Sequence, residues 1–227
     1  MKKTILITGS TDGIGLETAK ILVSQGHQVL LHGRNPKKLE AAQQSLSALS
    51  GEGSVESYIA DLSRMADVDL LAKAVAENHP KLDVLINNAG VFKTSETVTS
   101  EGLDVRFAVN AIAPYLLTQH LIPLIPTSGR VVNVSSAAQS PVNLDALIGQ
   151  IRLSEDFTAY AQSKLALTMW SRSLALSLQG HSPVIIAVNP GSLLGSKMVK
   201  EAFGVAGSDI RIGAEILTRA ALADEFA

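Results

Sequence analysis

The sequence predicts an α/β fold in which a doubly wound parallel sheet of six or seven strands carries helices on both faces. Two observations support it: short apolar runs alternate with longer helical patterns, and glycine or small polar residues cluster where the runs end. Strands separated by helices pair in parallel, because each helix returns the chain to the same end of the sheet. No linker or repeat interrupts the alternation, so a single domain over residues 1–227 is expected.

The predicted elements follow one another in a regular order, with glycine, proline or a capping residue at most boundaries. The predicted strands are Thr4–Thr8, Val29–His32, Val55–Ile59, Val84–Ile86, Val131–Val134 and Val184–Val188. The predicted helices run from Ile14 to Gly26, from Pro36 to Leu49, from a cap at Ser63 to Asn78, from Thr99 or Ser100 to Leu121 with a bend at Pro114, from Ser154 to Leu178, and onward from Ile210.

Composition excludes several functional classes. The net charge of −2 contains no basic block, so neither nucleic acid nor an anionic membrane surface is an expected partner. The absence of cysteine rules out disulfides, thiolate zinc sites and cysteine nucleophiles. No apolar run approaches the ~20 residues of a membrane span, and a cytoplasmic location is expected. No metal site is predicted, because the histidines lack ligand spacing and are interpreted as surface or packing residues: His27, His32, His79, His120 and His181.

The first strand, turn and helix form a phosphate-binding pattern, TILITGSTDGIGLETA from Thr4 to Ala19. Glycine lets the backbone turn tightly beside a pyrophosphate, and the helix N-terminus offers unpaired N–H groups with a partial positive charge. A glycine triplet is weak evidence by itself, and an ordinary strand-to-helix turn is the alternative. The predicted cofactor-binding residues of this turn are Gly9, Ser10, Thr11, Asp12, Gly13, Ile14 and Gly15.

Small or polar clusters also follow the later strands. Because parallel strands end at one edge of the sheet, where open α/β folds bind ligands, these clusters are expected to converge there. They are Gly33-Arg34, Asp61, Asn87-Asn88-Ala89-Gly90, Ser135-Ser136 and Asn189-Pro190-Gly191.

Tyr160 and Lys164 form the pattern that carries chemistry. Four residues apart, they share one face of the helix after the fifth strand. A tyrosine is a poor base at its unperturbed pKa of ~10, but a nearby ammonium stabilises the phenolate. Such a tyrosine could exchange a proton with an alcohol or carbonyl oxygen. Ser136, at the end of the fifth strand, is placed to hold that oxygen.

From Thr4 to about Gly191 the chain resembles the short-chain dehydrogenase/reductase family, with TGSTDGIG, NNAG, VNVSS and YAQSK in order. The resemblance implies that Tyr160 is the acid/base, that Lys164 tunes it and binds the nicotinamide ribose, and that Ser136 orients the carbonyl. It also implies that Asn110 holds a water of the proton relay, although a backbone-bonding role near Pro114 is the alternative.

The same resemblance implies the remaining cofactor contacts. Asp61 would accept a hydrogen bond from the adenine amino group, with helix capping as the alternative. The turn at Asn189-Pro190-Gly191 would meet the carboxamide, unless it is an ordinary proline turn. The implied cofactor-binding residues beyond the glycine turn are Arg34, Asp61, Leu62, Asn88, Ala89, Gly90, Tyr160, Lys164, Pro190 and Gly191.

Two features narrow the resemblance to a retinol-dehydrogenase-like branch: a longer segment between Ser136 and Tyr160, and the sequence YAQSKLALTMWSRSLALSLQG. The chain departs from the family after Gly191, where Ser192 and the stretch Leu194-Gly195-Ser196 replace the usual threonine motif. A seventh strand is not visible before Ala227. The segment at about 192–210 is expected to close over the substrate. Its apolar residues favour a hydrophobic carbonyl or alcohol: Leu193, Leu194, Met198, Val199 and Phe203.

The end of the second strand predicts the cofactor. Gly33 stands where NAD-specific enzymes place an acid, Arg34 comes immediately after it, and no acid follows until Glu40. An arginine fork can hold a 2′-phosphate, so NADP(H) is predicted, with NAD as the alternative and a surface turn as the other explanation of Arg34. Asp12 opposes this preference without reversing it.

The sequence also bears on the oligomeric state and on the alternative to catalysis. A homodimer or homotetramer is expected through the helices Ser100–Leu121 and Ser154–Leu178. The alternative to an oxidoreductase is a dinucleotide-binding sensor or interaction protein without turnover.

Overall fold

In the part of the chain that the structure describes, six strands form one parallel sheet in the order β3-β2-β1-β4-β5-β6, which confirms the predicted fold class. This computed structural model describes residues 1–49, 51–178 and 183–226, without the side chains of Ala202 and Phe203. His181 and the side chain of Phe203 therefore lie outside the described residues. The strands are β1 (Thr4–Ile7), β2 (Gln28–Gly33), β3 (Ser54–Ile59), β4 (Val84–Asn87), β5 (Arg130–Val134) and β6 (Val184–Val188).

The helices lie between the strands and after the last one. They are α1 (Gly13–Ser24), α2 (Pro36–Ser47), α3 (Met65–Asn78), α4 (Val105–Phe107), α5 (Ala113–Leu121), α6 (Leu144–Leu147), α7 (Asp156–Ser177), α8 (Lys197–Phe203) and α9 (Ile210–Leu222). A π-helical turn, Ala108–Ile112, joins α4 to α5. Within the described ranges, no helix combines the length and apolar character needed to cross a membrane.

The sheet is buried on both faces, which explains its nearly continuous apolar strands. Ile5 and Ile7 of β1 point into one core layer, which contains residues of α1, α2 and α9. Leu6 points into the opposite layer, which contains residues of α3 and α5. The chain reverses its winding direction between β1 and β4, so a crevice opens where these neighbouring strands end.

The long helix predicted from Thr99 or Ser100 begins later, at Val105. Residues 99–103 form a turn in which Thr99 N–H donates to Leu103 O and Gly102 adopts a φ of +83°. Asp104 caps the helix by accepting from Arg106 N–H at 2.8 Å. Pro114 lies in the first turn of α5, directly after the π-helical turn.

The predicted cap at Ser63 is also wrong. Helix α3 begins at Met65, and Arg64 precedes it without a side-chain capping bond. The Ser63 hydroxyl donates instead to Asp61 Oδ1 at 2.8 Å, which closes the turn after β3. The short side chain is committed to the turn and cannot also reach the helix.

Candidate functional site

A cavity of about 650 Å³ lies at the carboxyl edge of the sheet. The strand ends converge there as predicted, and of the predicted site residues the lining includes Gly9, Thr11, Asp12, Gly13, Ile14, Arg34, Asp61, Leu62, Asn88, Ala89, Gly90, Ser136, Tyr160, Lys164, Pro190 and Gly191. Ser10, Gly15 and Asn110 are buried behind this surface. They can therefore affect the cavity only through the residues that they contact.

Close packing shapes the glycine turn. A Cβ on Gly15 would collide with Asn88 Nδ2 and with the backbone oxygen of Gly9. A Cβ on Gly33 would lie 2.6 Å from Thr11 Cγ2. Gly15 therefore leaves no room for a side chain against the backbone of Gly9, whereas a side chain at Gly33 would have to displace the Thr11 methyl group. The turn is consequently pressed against β2 and β4, and the N-terminus of α1 lines the cavity.

Asn88 joins the glycine turn to β4. Its Nδ2 donates to Thr8 O at 2.9 Å and to Gly9 O at 3.0 Å. The hydroxyl of Thr8 accepts in return from the backbone N–H groups of Asn88 and Ala89, each at 3.0 Å. This exchange fixes the two central strand ends relative to each other.

His32 is a site residue that the sequence analysis interpreted merely as packing. Its Nδ1 accepts from Gly9 N–H at 3.2 Å, so Nε2 carries the proton that is donated to Ala60 O at 3.1 Å. The imidazole thus connects the ends of three strands. Burial lowers the pKa of His32 to about 4, partly offset by the Ala60 hydrogen bond and the charge of Asp61. The side chain is therefore neutral at physiological pH.

The end of the cavity beside Arg34 and Asp12 contains charges of both signs. Arg34 is exposed directly after β2, while Asp12 caps α1 by accepting from Gly13 N–H at 2.8 Å. Lys38 Nζ lies 3.9 Å from Asp12 Oδ2, which places this lysine at the same end. Asp61 lines the cavity, and its Oδ1 accepts from the N–H and hydroxyl of Ser63.

Tyr160, Ser136 and Lys164 meet in the cavity. Lys164 is buried, its Nζ donates to Val134 O at 2.6 Å, and it lies 5.8 Å from the centroid of the Tyr160 ring. Burial lowers the pKa of Lys164 to about 8. Burial also raises the pKa of Tyr160, and a hydrogen bond with Ser136 offsets part of that rise. Tyr160 is therefore protonated at neutral pH, as a proton donor to a carbonyl oxygen has to be.

Asn110 occupies the π-helical turn behind Tyr160. Its Oδ1 accepts from Val91 N–H at 2.8 Å, and its Nδ2 donates to Val91 O and to Ser163 Oγ, each at 2.9 Å. The side-chain amide therefore holds the loop after β4 against α7. Asn110 Oδ1 and Lys164 Nζ both lie close to Gly90, within 3.5 Å of where a Cβ would be.

Aromatic rings line the other end of the cavity. Phe92 packs against Tyr160 at 4.9 Å between centroids and against Phe157 at 6.4 Å. Leu193, Met198 and Val199 add apolar surface. The sequence analysis missed both phenylalanines, because Phe92 lies in the loop after β4, Phe157 lies in the first turn of α7, and no local pattern marks either of them. The nearby charges include a Lys197–Glu201 ion pair of 3.5 Å.

This strand order, with a glycine-lined cavity at the switch between β1 and β4, defines a Rossmann-like α/β protein. The chain belongs to the short-chain dehydrogenase family, because the model of that family, described as short chain dehydrogenase, matches residues 3–204.

Retinol dehydrogenases are among its relatives. The chain is 33% identical to human retinol dehydrogenase 13 over 193 residues, 83% of this chain and 58% of that protein. It is 36% identical to mouse retinol dehydrogenase 12 over 196 residues, 85% of this chain and 62% of that protein. These relatives confirm the predicted branch. The chain thus spans about three fifths of the length of either relative.

Solved structures show the same fold. A metagenomic short-chain oxidoreductase in complex with NADP has a TM-score of 0.72 and 30% identity, covering 96% of this chain and 89% of its own. The NADP complex of RhlG from Pseudomonas aeruginosa has a TM-score of 0.76 and 27% identity, covering 97% and 90%.

Proposed function

We propose that this chain is an NADP(H)-dependent oxidoreductase that interconverts a hydrophobic carbonyl and the corresponding alcohol. The observation that carries the proposal is that Tyr160 and Ser136 line the same cavity beside the buried Lys164, whose Nζ donates to Val134 O at 2.6 Å. The cavity is lined by the glycine turn and by the N-terminus of α1, which are expected to hold the pyrophosphate of a dinucleotide. The NADP complexes among similar structures support the choice of cofactor.

The residues of the chain divide the work. Arg34 is expected to bind the 2′-phosphate, the α1 N-terminus the pyrophosphate, and Lys164 the nicotinamide ribose. When bound, NADPH would supply the hydride. Ser136 and Tyr160 would both donate hydrogen bonds to the carbonyl oxygen, and Tyr160 would transfer its proton as that oxygen becomes an alcohol.

The substrate proposal rests on the aromatic end of the cavity. Phe92 and Phe157 offer ring faces beside Tyr160, and Met198 and Val199 extend the apolar wall. Retinol, named for the relatives, is itself a hydrophobic alcohol. Hydrophobic aldehydes and ketones should therefore be preferred to charged ones. Three further points stay predictions. They are that the segment at about 192–210 closes over the substrate, that residues 1–227 form a single domain, and that the protein is cytoplasmic.

The test is the rate of NADPH oxidation by the purified chain with a panel of hydrophobic carbonyls. Tyr160→Phe should lower kcat by roughly 10²–10⁴-fold, because the proton donor is removed. Its NADPH affinity should stay close to that of the wild type, since the hydroxyl acts on substrate. A variant that kept more than about a tenth of the rate would place proton transfer elsewhere. NADPH binding without turnover across the panel would favour a non-catalytic sensor.

A further inference from the structure

A buried ion cluster joins the segment that carries Asn110 to the helix that carries Tyr160. Arg106 is 1% exposed, and its Nε and Nη2 donate to the carboxylate of Asp104 at 2.7 and 2.6 Å. Its Nη1 donates to Oδ1 of Asp156, in the first turn of α7. Burial opposes the charge, but Asp104 and Asp156 outweigh it and raise the pKa of Arg106. One guanidinium therefore links α4 to α7.

The position of this link matters more than its charge. Arg106 lies one helical turn before Asn110, and Asp156 lies one turn before Tyr160. At the level of the candidate site the same two segments meet again, where Asn110 Nδ2 donates to Ser163 Oγ at 2.9 Å. Ser163 Oγ in turn donates to Tyr160 O at 2.7 Å. The segments are thus joined at the site and again one turn before it.

The start of α7 has weak support of its own. Glu155 precedes the helix without a side-chain capping bond, and Phe157 is 53% exposed. An uncapped first turn frays readily, because its N–H groups have no intrahelical acceptors. Movement there would reach the site directly, since Phe157 packs on Phe92 and Phe92 packs on Tyr160.

We propose that Arg106 is a positioning residue for the hydride-transfer site: by bridging Asp104 and Asp156 it fixes Tyr160 relative to Asn110 and the segment that carries it. The inference rests on the proposed function and adds a residue to it. A planar guanidinium can grip one carboxylate with two nitrogens and reach a second with the third, whereas a lysine ammonium cannot hold that geometry. Buried ion pairs contribute little net stability, so the main effect expected is on geometry.

Asp156→Ala is the decisive variant. It removes the bridge but leaves Arg106 paired with Asp104, so no buried charge loses its partner and the chain should still fold. Glu155→Ala is the matched control, because it removes the same charge from the same helix end without touching Arg106. Asp156→Asn is the conservative variant, since its amide oxygen can still accept from Nη1.

In Asp156→Ala, kcat for carbonyl reduction should fall about tenfold or more, because small displacements of reacting groups are costly. The NADPH Kd, measured by fluorescence titration, should stay within about twofold, since Lys164 lies two turns further along α7 and is held separately by Val134 O. The isotope effect with 4-deuterated NADPH should rise, because hydride transfer becomes slower relative to product release. Asp156→Asn should recover at least about half of the wild-type rate, and Glu155→Ala should behave as wild type.

Three results would overturn the proposal. The first is a wild-type kcat in Asp156→Ala. The second is a loss of kcat matched by an equal loss of NADPH affinity, which would indicate general destabilisation. The third is an equal effect of Glu155→Ala, which would assign the change to charge. A wild-type chain that bound NADPH but reduced no carbonyl would overturn the proposed function itself, and the role of Arg106 with it.

Discussion

Lys164 and Val134 are joined by a hydrogen bond of 2.6 Å, from the buried ammonium to the backbone oxygen at the end of β5. This bond holds the lysine at the junction between the cofactor end of the cavity and Tyr160. Under the proposed function, this one cation would serve both the cofactor and the proton donor.

Lys164→Ala should therefore damage binding and chemistry together. We expect the NADPH Kd to rise about tenfold and kcat to fall by roughly 10²-fold, because the ribose loses a donor and Tyr160 loses a charged neighbour. Fluorescence titration and steady-state kinetics measure the two effects. Tyr160→Phe is the control, in which the rate alone should fall. An unchanged Kd in Lys164→Ala would separate the lysine from the cofactor.

Arg34 should determine the choice between NADP(H) and NAD(H). The wild type should prefer NADPH by about tenfold or more in kcat/KM, equivalent to ~1.4 kcal/mol. Arg34→Ala should remove most of that preference, because the guanidinium is expected to bind the 2′-phosphate. Kinetics with both cofactors decide this. If the wild-type kcat/KM with NADH equalled or exceeded that with NADPH, Arg34 would not bind the 2′-phosphate.

Removing the charge of Asp12 should change the cofactor preference in the direction opposite to Arg34→Ala. Its carboxylate lies 3.9 Å from Lys38 Nζ, so it competes with a phosphate for that cation. Asp12→Asn keeps an oxygen that can cap α1 while removing the negative charge. The preference for NADPH should then rise severalfold, most clearly at low ionic strength. A preference that did not change would leave Lys38 outside the phosphate site.

His32 should make the fold sensitive to acid. Its pKa is about 4 in the folded chain, against 6.5 in the unfolded chain, so only the unfolded chain gains a proton between these values. The free energy of unfolding should therefore fall as the pH drops from 6.5 to 4, by about 3 kcal/mol for this group. Urea denaturation at a series of pH values measures the decline.

His32→Gln is the control for this prediction. A glutamine can accept from Gly9 N–H and donate to Ala60 O, but it does not titrate. As the pH falls, the wild type should lose stability that the variant keeps, so the free energy of unfolding of the wild type minus that of the variant should decrease. Contributions from Asp61 and other groups largely cancel in this difference. Parallel curves from pH 7 to 4 would show that His32 does not titrate in this window.

Assembly can be tested on the outer face of α5 and α7. Tyr115 and Met169 are exposed there and line an apolar groove of about 310 Å³. We expect a dimer or tetramer by light scattering at micromolar concentration, and Met169→Arg should lower the mass by burying an unpaired charge. Leu70→Arg on α3, which is similarly exposed, should not. A monomeric wild type would contradict the expectation.

The sequence predicted the sheet and the edge where the cavity lies, because apolar runs and the residues that end them are local signals. Tyr160 and Lys164 were found for the same reason, as their spacing is that of one helical turn. The wrong start of the helix before Asn110 has a tertiary cause. Thr99, Ser100 and Asp104 are all good capping residues, and the buried Arg106 favours Asp104. His32, Phe92 and Phe157 gain their roles from neighbours distant in sequence, which no local pattern shows.

Because β1 is a central strand, its two neighbours leave the ribosome at different times during synthesis. This strand pairs with β2 on one side and with β4, beginning at Val84, on the other. At about 5–20 residues per second, some 3–10 s separate the emergence of β2 from that of β4. During that interval the nascent half-sheet presents the apolar edge of β1 without its final partner. Chaperone binding and premature strand pairing between chains should therefore concentrate in this window, before the second half of the protein exists.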